Sequence, residues 1–203
     1  MQIAILLFDD ITALDAIGPY EVLASLPEAK IRMVARHPGP KRAVGGLGLV
    51  ADHALSAVPD PDIILIPGGD GVHAVMNDQD VLDWLRKAHA TSRYTTSICT
   101  GALILGAAGL LQGLKATTHW RHRDRLRQFG ARPVDRRYVV EGKIITAAGI
   151  SAGIDMALHL VRLIADDTMA QKVQLRLEYD PHPPFSAGSP ATAPQEVIDL
   201  FEE

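Results

Sequence analysis

Short, continuous apolar runs separated by helix-length segments constrain this chain more than any other feature. Residues 2–8 (Gln-Ile-Ala-Ile-Leu-Leu-Phe) and 62–66 (Asp-Ile-Ile-Leu-Ile) lack the polar alternation of a half-wetted strand. That pattern belongs to strands buried on both faces, as in a parallel sheet covered by helices. Residues 13–26 place Leu14, Ile17, Val22, Leu23 and Leu26 at helical spacing, and Gly18-Pro19 predicts a break inside the stretch. A second strand is expected at 31–35 and a third at 47–51, the latter in a hairpin. Asn77, with Asp80 three residues on, reads as an N-cap pair opening a helix over 78–91. Thr95 to Ile98 reads as a short strand running straight into Cys99, then a small-residue helix through Leu111. An arginine-rich helix is expected over 120–128 and a hairpin over 138–146, turning at Glu141-Gly142. Two further helices are expected, at about 152–165 and 167–179. Strands alternating with helices specify an α/β fold, a mostly parallel sheet with helices on both faces. Residues 180–194, rich in Pro and small side chains, predict an irregular segment, either a disordered tail or a loop laid on a partner surface. No linker or repeat precedes it, so residues 1–203 read as a single domain.

Composition matters here mainly for what it excludes. A net charge of −4 does not call for nucleic acid or an anionic membrane. Seven arginines fall within residues 121–137, but Asp124 and Asp135 interrupt them, which favours a solvated face over a nucleic-acid patch. With one cysteine there is no intrachain disulfide, and a reducing cytoplasm is the expected home. The apolar start is short, lacks a basic leader and meets Asp9-Asp10 at once, so it reads as a first strand and not a signal peptide. No apolar run approaches the roughly 20 residues that a bilayer span needs.

Ser97-Ile98-Cys99-Thr100-Gly101 is the most informative stretch for chemistry. A nucleophile on a sharp strand-to-helix turn needs small neighbours, and Ser97 and Gly101 supply them. A thiol at the start of a helix over 100–110 would be drawn toward thiolate by the helix dipole. An inert buried cysteine fits the same residues. Pro67-Gly68-Gly69 follows a buried strand, and in a parallel sheet that end of the strand shares a rim with the Cys99 turn. Backbone N–H groups of Gly69 and Thr100 could there form an anion hole, although a plain tight turn also explains Gly-Gly. Asp15 sits in the apolar stretch Ala13-Leu14-Asp15-Ala16-Ile17. Buried beside a thiol it would favour its protonated form and could shuttle a proton; on a helix start it would be a simple cap. His119 is a candidate base whose distance from Cys99 is open. His119 and His122, three apart, lack the further ligands of a metal site, so no metal is expected.

Beyond spacing, these residues resemble the ThiJ/PfpI superfamily over nearly the whole chain, and within it the isonitrile hydratase family. The resemblance rests on residues 14–23 (Leu-Asp-Ala-Ile-Gly-Pro-Tyr-Glu-Val-Leu), Ile66-Pro67-Gly68-Gly69, Thr96-Ser97-Ile98-Cys99-Thr100-Gly101 and residues 105–111. It continues through residues 116–120 (Ala-Thr-Thr-His-Trp), residues 149–155 and the Pro-Pro-Phe-Ser-Ala-Gly-Ser-Pro run ending at Pro190. It implies a flavodoxin-like sandwich of the class I glutamine amidotransferase kind. It also implies hydration of an isonitrile, R–N≡C, to an N-substituted formamide through a thioimidate on Cys99. Asp15 is then general acid and base, Thr100 holds thiolate and water, and Gly68, Gly69 and Thr100 form the substrate and oxyanion pocket. His119 and Gly149 are possible site members. Neither metal nor organic cofactor is implied, and a homodimer is, with the 180–194 loop at its interface. Peptidase-like members of the superfamily carry a histidine directly after the cysteine; Thr100 at that position argues against a protease. A cysteine-based redox or stress sensor and a glyoxalase-like enzyme are the competing readings. An AraC-type regulator would need a C-terminal helix-turn-helix, and only nine residues follow Pro194.

Overall fold

The structure, a computed structural model, describes residues 1–201. Its strands are β1 (Gln2–Leu6), β2 (Lys30–Ala35), β3 (Gly39–Arg42), β4 (Gly48–Ala51), β5 (His53–Ala54), β6 (Ile63–Ile66), β7 (Tyr94–Ser97), β8 (Lys115–Ala116), β9 (Arg132–Pro133), β10 (Tyr138–Glu141) and β11 (Ile144–Ala147). The helices are α1 (Ala13–Leu23), α2 (Val72–Val75), α3 (Gln79–Thr91), α4 (Gly101–Ala107), α5 (Ala152–Ile164), α6 (Asp167–Arg176) and α7 (Gln195–Asp199), with 3-10 segments at Leu55–Ala57 and Trp120–Phe129. Seven strands form one sheet in the order β10-β11-β7-β6-β1-β2-β5. Every pairing in it is parallel except the β10–β11 hairpin at one edge.

Chain direction across this sheet decides where a ligand can sit. The chain passes from β1 through α1 to β2 one way along the sheet, and from β6 through α3 to β7 the other way. Parallel crossovers are right-handed, so opposite directions put α1 and α3 on opposite faces. α5 packs on α1 and α6 on α5, whereas α2, α4 and the Trp120–Phe129 segment pack together. The order reverses between β1 and β6, and the crevice beyond the carboxyl ends of such strands is the natural ligand site of an open α/β sheet. The core beneath it is aliphatic: Ile3, Ile5, Ile63, Ile64, Leu65 and Ile66 are all fully buried.

Several local expectations are corrected. Helix α1 runs unbroken through Gly18-Pro19. A Cβ on Gly18 would lie 3.1 Å from Ile154, and Pro19 Cγ lies 3.2 Å from where a Cβ on Gly153 would sit. The pair is thus the seam on which α1 and α5 approach, and close packing outweighs the lost N–H. Asp78, not Asn77, caps α3 by accepting from the N–H of Asp80 and Val81; Asn77 donates to His73 O. Helix α4 ends at Ala107 instead of reaching Leu111, since Gly109 is left-handed at φ +80°. The arginine-rich helix is a 3-10 segment closed by Gly130 at φ +69°. The 47–51 strand does form a hairpin, but β3 and β4 make a separate two-stranded sheet. Residues 180–194 carry no helix or strand.

Candidate active site

Three connections meet at the switch point: the one leaving β1, the Pro67-Gly68-Gly69 turn after β6, and the turn after β7 that carries Cys99. Cys99 has φ +53°, a left-handed conformation that costs a side-chain-bearing residue about 1–3 kcal/mol. Two hydrogen bonds hold it there: Cys99 N–H donates to Ala148 O at 2.9 Å, and Thr118 Oγ1 donates to Cys99 O at 2.6 Å. The turn closes only because Gly101 follows: a Cβ at that position would stand 2.2 Å from Ile66 O. The expected strand–turn–helix elbow at Cys99 is therefore present, and Cys99 is 5 % exposed.

Asp15 lies in the first turn of α1 and is fully buried. It is no helix cap, because its Oδ2 accepts the Gly68 N–H at 2.8 Å. Its Oδ1 is buried without any N–H or O–H partner. Burial pushes the carboxyl up from 3.8 to about 7, against the opposing pulls of the Gly68 N–H and the neighbouring Cys99 thiol. Burial likewise pushes the thiol up to about 11, with the Asp15 charge adding to it. The Ile150 and Thr100 N–H groups and the Thr100 hydroxyl pull the other way. The expectation of a thiol drawn to thiolate by a long helix is thus corrected: α4 has seven residues, and burial beside a carboxylate dominates. Between about pH 7 and about 11 the two groups share one negative charge, and a proton moved from Cys99 to Asp15 creates thiolate and carboxylic acid together.

Gly68 and Gly69 are both at the site, but their N–H groups are engaged. The Gly68 N–H serves Asp15, and the Gly69 N–H donates to Thr100 Oγ1 at 2.9 Å. A Cβ on Gly68 would fall 2.5 Å from Thr100 N, 2.6 Å from Thr100 Oγ1 and 3.0 Å from Asp15 Oδ2. Glycine is required there because the carboxyl and the elbow press on it from both sides. The backbone N–H groups that act on the sulfur are those of Thr100 and Ile150. Ile150 went unrecognised in the sequence. Its φ of +29° and the Gly149 that precedes it mark a constrained turn, and no side-chain chemistry signals a backbone donor.

A cleft of about 460 Å³ opens above the sulfur, lined by Cys99, Thr100, Gly69, Leu103, His119 and Ile150, among others. His119 reaches it as the cap of the Trp120–Phe129 segment, its Nδ1 accepting from Arg121 N–H at 3.4 Å. Burial, then the charges of His122 and Arg121, hold its pKa down. Gly149 is the residue that admits the ring, since a Cβ there would lie 2.7 Å from His119 Cδ2. Asp70, His73, His122, Arg121 and Arg125 form the mouth. Among the described residues no cluster of His, Cys, Asp and Glu is fit to hold a metal, and no helix is long and apolar enough to cross a membrane.

Comparison with known proteins agrees with this fold. The family model described as the DJ-1/PfpI family matches residues 1–163. The isonitrile hydratase of Pseudomonas putida is 48% identical over 98% of this chain and 87% of its own length. A crystal structure of a ThiJ/PfpI family protein from Pseudomonas syringae superposes with a TM-score of 0.96 at 42% identity, covering 98% of this chain and 84% of that one. The glutathione-independent glyoxalase DJR-1.2 of Caenorhabditis elegans is 27% identical over 62% of this chain and 68% of its own.

Proposed function

Because the chain belongs to the DJ-1/PfpI family and resembles an isonitrile hydratase over almost its full length, we propose that it is an enzyme that hydrates isonitriles to N-substituted formamides. The observation that carries the reading is the buried Asp15 carboxyl, raised to about 7, set beside the Cys99 thiol under one cleft.

Cys99 passes its proton to Asp15 Oδ1, the carboxyl oxygen without an N–H or O–H partner. The thiolate adds to the terminal carbon of R–N≡C, and Asp15 returns the proton to that carbon, giving the thioimidate R–N=CH–S–Cys99. The Thr100 and Ile150 N–H groups, which favour the charged sulfur, stabilise it as it forms and as it leaves. Asp15, again a carboxylate, takes a proton from water as the water adds to the thioimidate carbon, and delivers it to nitrogen. Collapse expels Cys99 and releases R–NH–CHO; the hydroxyl proton resets the thiol through Asp15. The sum is one isonitrile and one water in, one formamide out, with no cofactor consumed. Thr100 Oγ1, fixed by the Gly69 N–H, supplies a hydroxyl beside sulfur and water.

We further read residues 1–203 as one domain acting as a homodimer in the cytoplasm, where its single thiol stays reduced. The irregular 180–194 segment would then lie at the dimer contact, consistent with Phe185 being 78 % exposed. Sedimentation of wild type and Phe185→Asp tests that reading, a monomeric wild type counting against it.

A glyoxalase-like activity is the second reading, favoured by His119 lining the same cleft as Cys99. Redox sensing fits less well, since a thiol at about 11 is not a ready thiolate. Formamide production from a simple aryl isonitrile, with methylglyoxal consumption in parallel, separates the two. Formamide formed by wild type and not by Cys99→Ala supports hydration. Methylglyoxal consumed while the isonitrile persists overturns it.

A further inference from the structure

The arginines of the Trp120–Phe129 segment divide into two sets. Arg123 and Arg127 turn to carboxylates, pairing with Asp135 at 2.8 Å and Asp124 at 3.4 Å. Arg121 and Arg125 line the mouth of the Cys99 cleft instead. Arg121 is engaged by the chain itself, donating to Phe201 O at 2.8 Å with its guanidinium over the Phe201 ring. Arg125 is half-buried and makes no salt bridge among the described residues; its Nη1 lies 3.3 Å from His73 Nε2. His122 completes the group, and among the described residues Asp70 is the only carboxylate that lines the cleft. The pKa of His122 is held down first by burial and then by Arg125, Arg121 and His73, against a smaller opposing effect of Asp70, so the mouth as a whole is positive.

A guanidinium that lines a cleft with no carboxylate paired to it among the described residues is free to take an anion from a ligand, and its planar fork matches a carboxylate in two parallel hydrogen bonds. The substrate enters past this group to place its terminal carbon at Cys99, so the anion must ride on the substituent R. We propose that Arg125, flanked by His73 and His122, seats a carboxylate carried by the substrate, so that the preferred isonitriles are those bearing an acid group. This rests on the hydratase reading of Cys99, and it adds the substrate class.

The test compares matched acid and amide ligands. N-formylglycine and N-formylglycinamide, the products that isocyanoacetate and isocyanoacetamide would give, are titrated calorimetrically into wild type, Arg125→Gln and Arg125→Lys. Thermal unfolding serves as the check that each variant is folded. Wild type should bind the acid about 10-fold or more tighter than the amide, as a charge-assisted hydrogen-bond pair implies. Arg125→Gln should bring the two affinities together. Arg125→Lys, keeping charge without the fork, should retain part of the preference. Acid and amide affinities equal on wild type, no measurable binding of either included, or a preference surviving Arg125→Gln, overturns the carboxylate seat. Turnover of the two isonitriles distinguishes this from failure of the parent reading. Equal affinities with both isonitriles consumed sink the seat and leave the hydratase. Acid-selective binding with neither consumed keeps the seat and sinks the hydratase.

Discussion

The floor and the rim of the cleft are built by opposite means. The floor is backbone held under constraint: Cys99 at φ +53°, Gly68 pressed between the carboxyl and the elbow, and Gly101 with no room for a Cβ. It buries a carboxyl completely and leaves one of its oxygens without an N–H or O–H partner. The rim is a set of longer, partly exposed side chains, Arg121, His122 and Arg125 of the Trp120–Phe129 segment with Asp70 and His73. A floor of this kind fixes reacting atoms to a few tenths of an ångström and tolerates no added atom. A rim of this kind tunes which molecules arrive and absorbs substitution cheaply. The chemistry should therefore be brittle and the selectivity pliable.

Under the proposed hydration the largest effects should come from the floor's Cys99 and Asp15. Cys99→Ala should abolish formamide formation outright. Asp15→Asn keeps an acceptor for the Gly68 N–H but cannot carry the proton, and should lower kcat/KM by about 10²–10⁴-fold. In wild type, kcat/KM should fall as pH drops through about 7, because a protonated Asp15 cannot take the thiol proton. It should hold steady above that until the thiol itself titrates near 11. A flat profile between pH 5 and 9 would remove Asp15 from the reaction. Gly68→Ala comes next: its Cβ would meet Thr100 N at 2.5 Å, and backbone cannot swing aside as a side chain can. About 10- to 100-fold in kcat/KM should be lost, since a displacement near 1 Å is enough. If Gly68→Ala turned over like wild type, the floor would not be rigid.

This contrast also explains what the sequence disclosed. The turn at Cys99 between Ser97 and Gly101 was legible because the backbone there needs small neighbours, whereas Asp15 among apolar neighbours fitted a helix cap as well as a proton carrier, and only the resemblance favoured the second. The parallel sheet was legible for a related reason, since strands such as Ile63–Ile66 show their double burial directly. Backbone roles were not legible. The Ile150 N–H carries no side-chain signature, and nothing in Gly-Gly shows whether the Gly69 N–H serves an anion hole or, as it does, Thr100 Oγ1. Pro19 misled because a helix break is a local rule, whereas the packing of Gly18-Pro19 against α5 is a tertiary fact. The raised thiol was missed for the same reason: the helix argument was local, and burial beside Asp15 is not.

The smallest effects concern stability, and they separate floor from rim most finely. A carboxyl whose pKa is higher folded than unfolded holds its proton more tightly in the folded state. Asp15 therefore costs nothing below about pH 4, increasingly opposes folding as pH climbs from about 4 to about 7, and imposes a constant cost above that. Three pKa units correspond to an upper bound of about 4 kcal/mol. Asp15→Asn, neutral at every pH, should thus unfold at a higher temperature than wild type at pH 8, and the gain should vanish toward pH 4. Asp124→Asn breaks an exposed ion pair on the outer side of the segment that carries the rim, with Arg127 69 % and Asp124 94 % exposed, and should change stability by no more than about 0.5 kcal/mol at either pH. A loss of stability in Asp15→Asn at pH 8 would mean that the buried charge is balanced by its surroundings, and that the floor gives up no stability to hold its base in place.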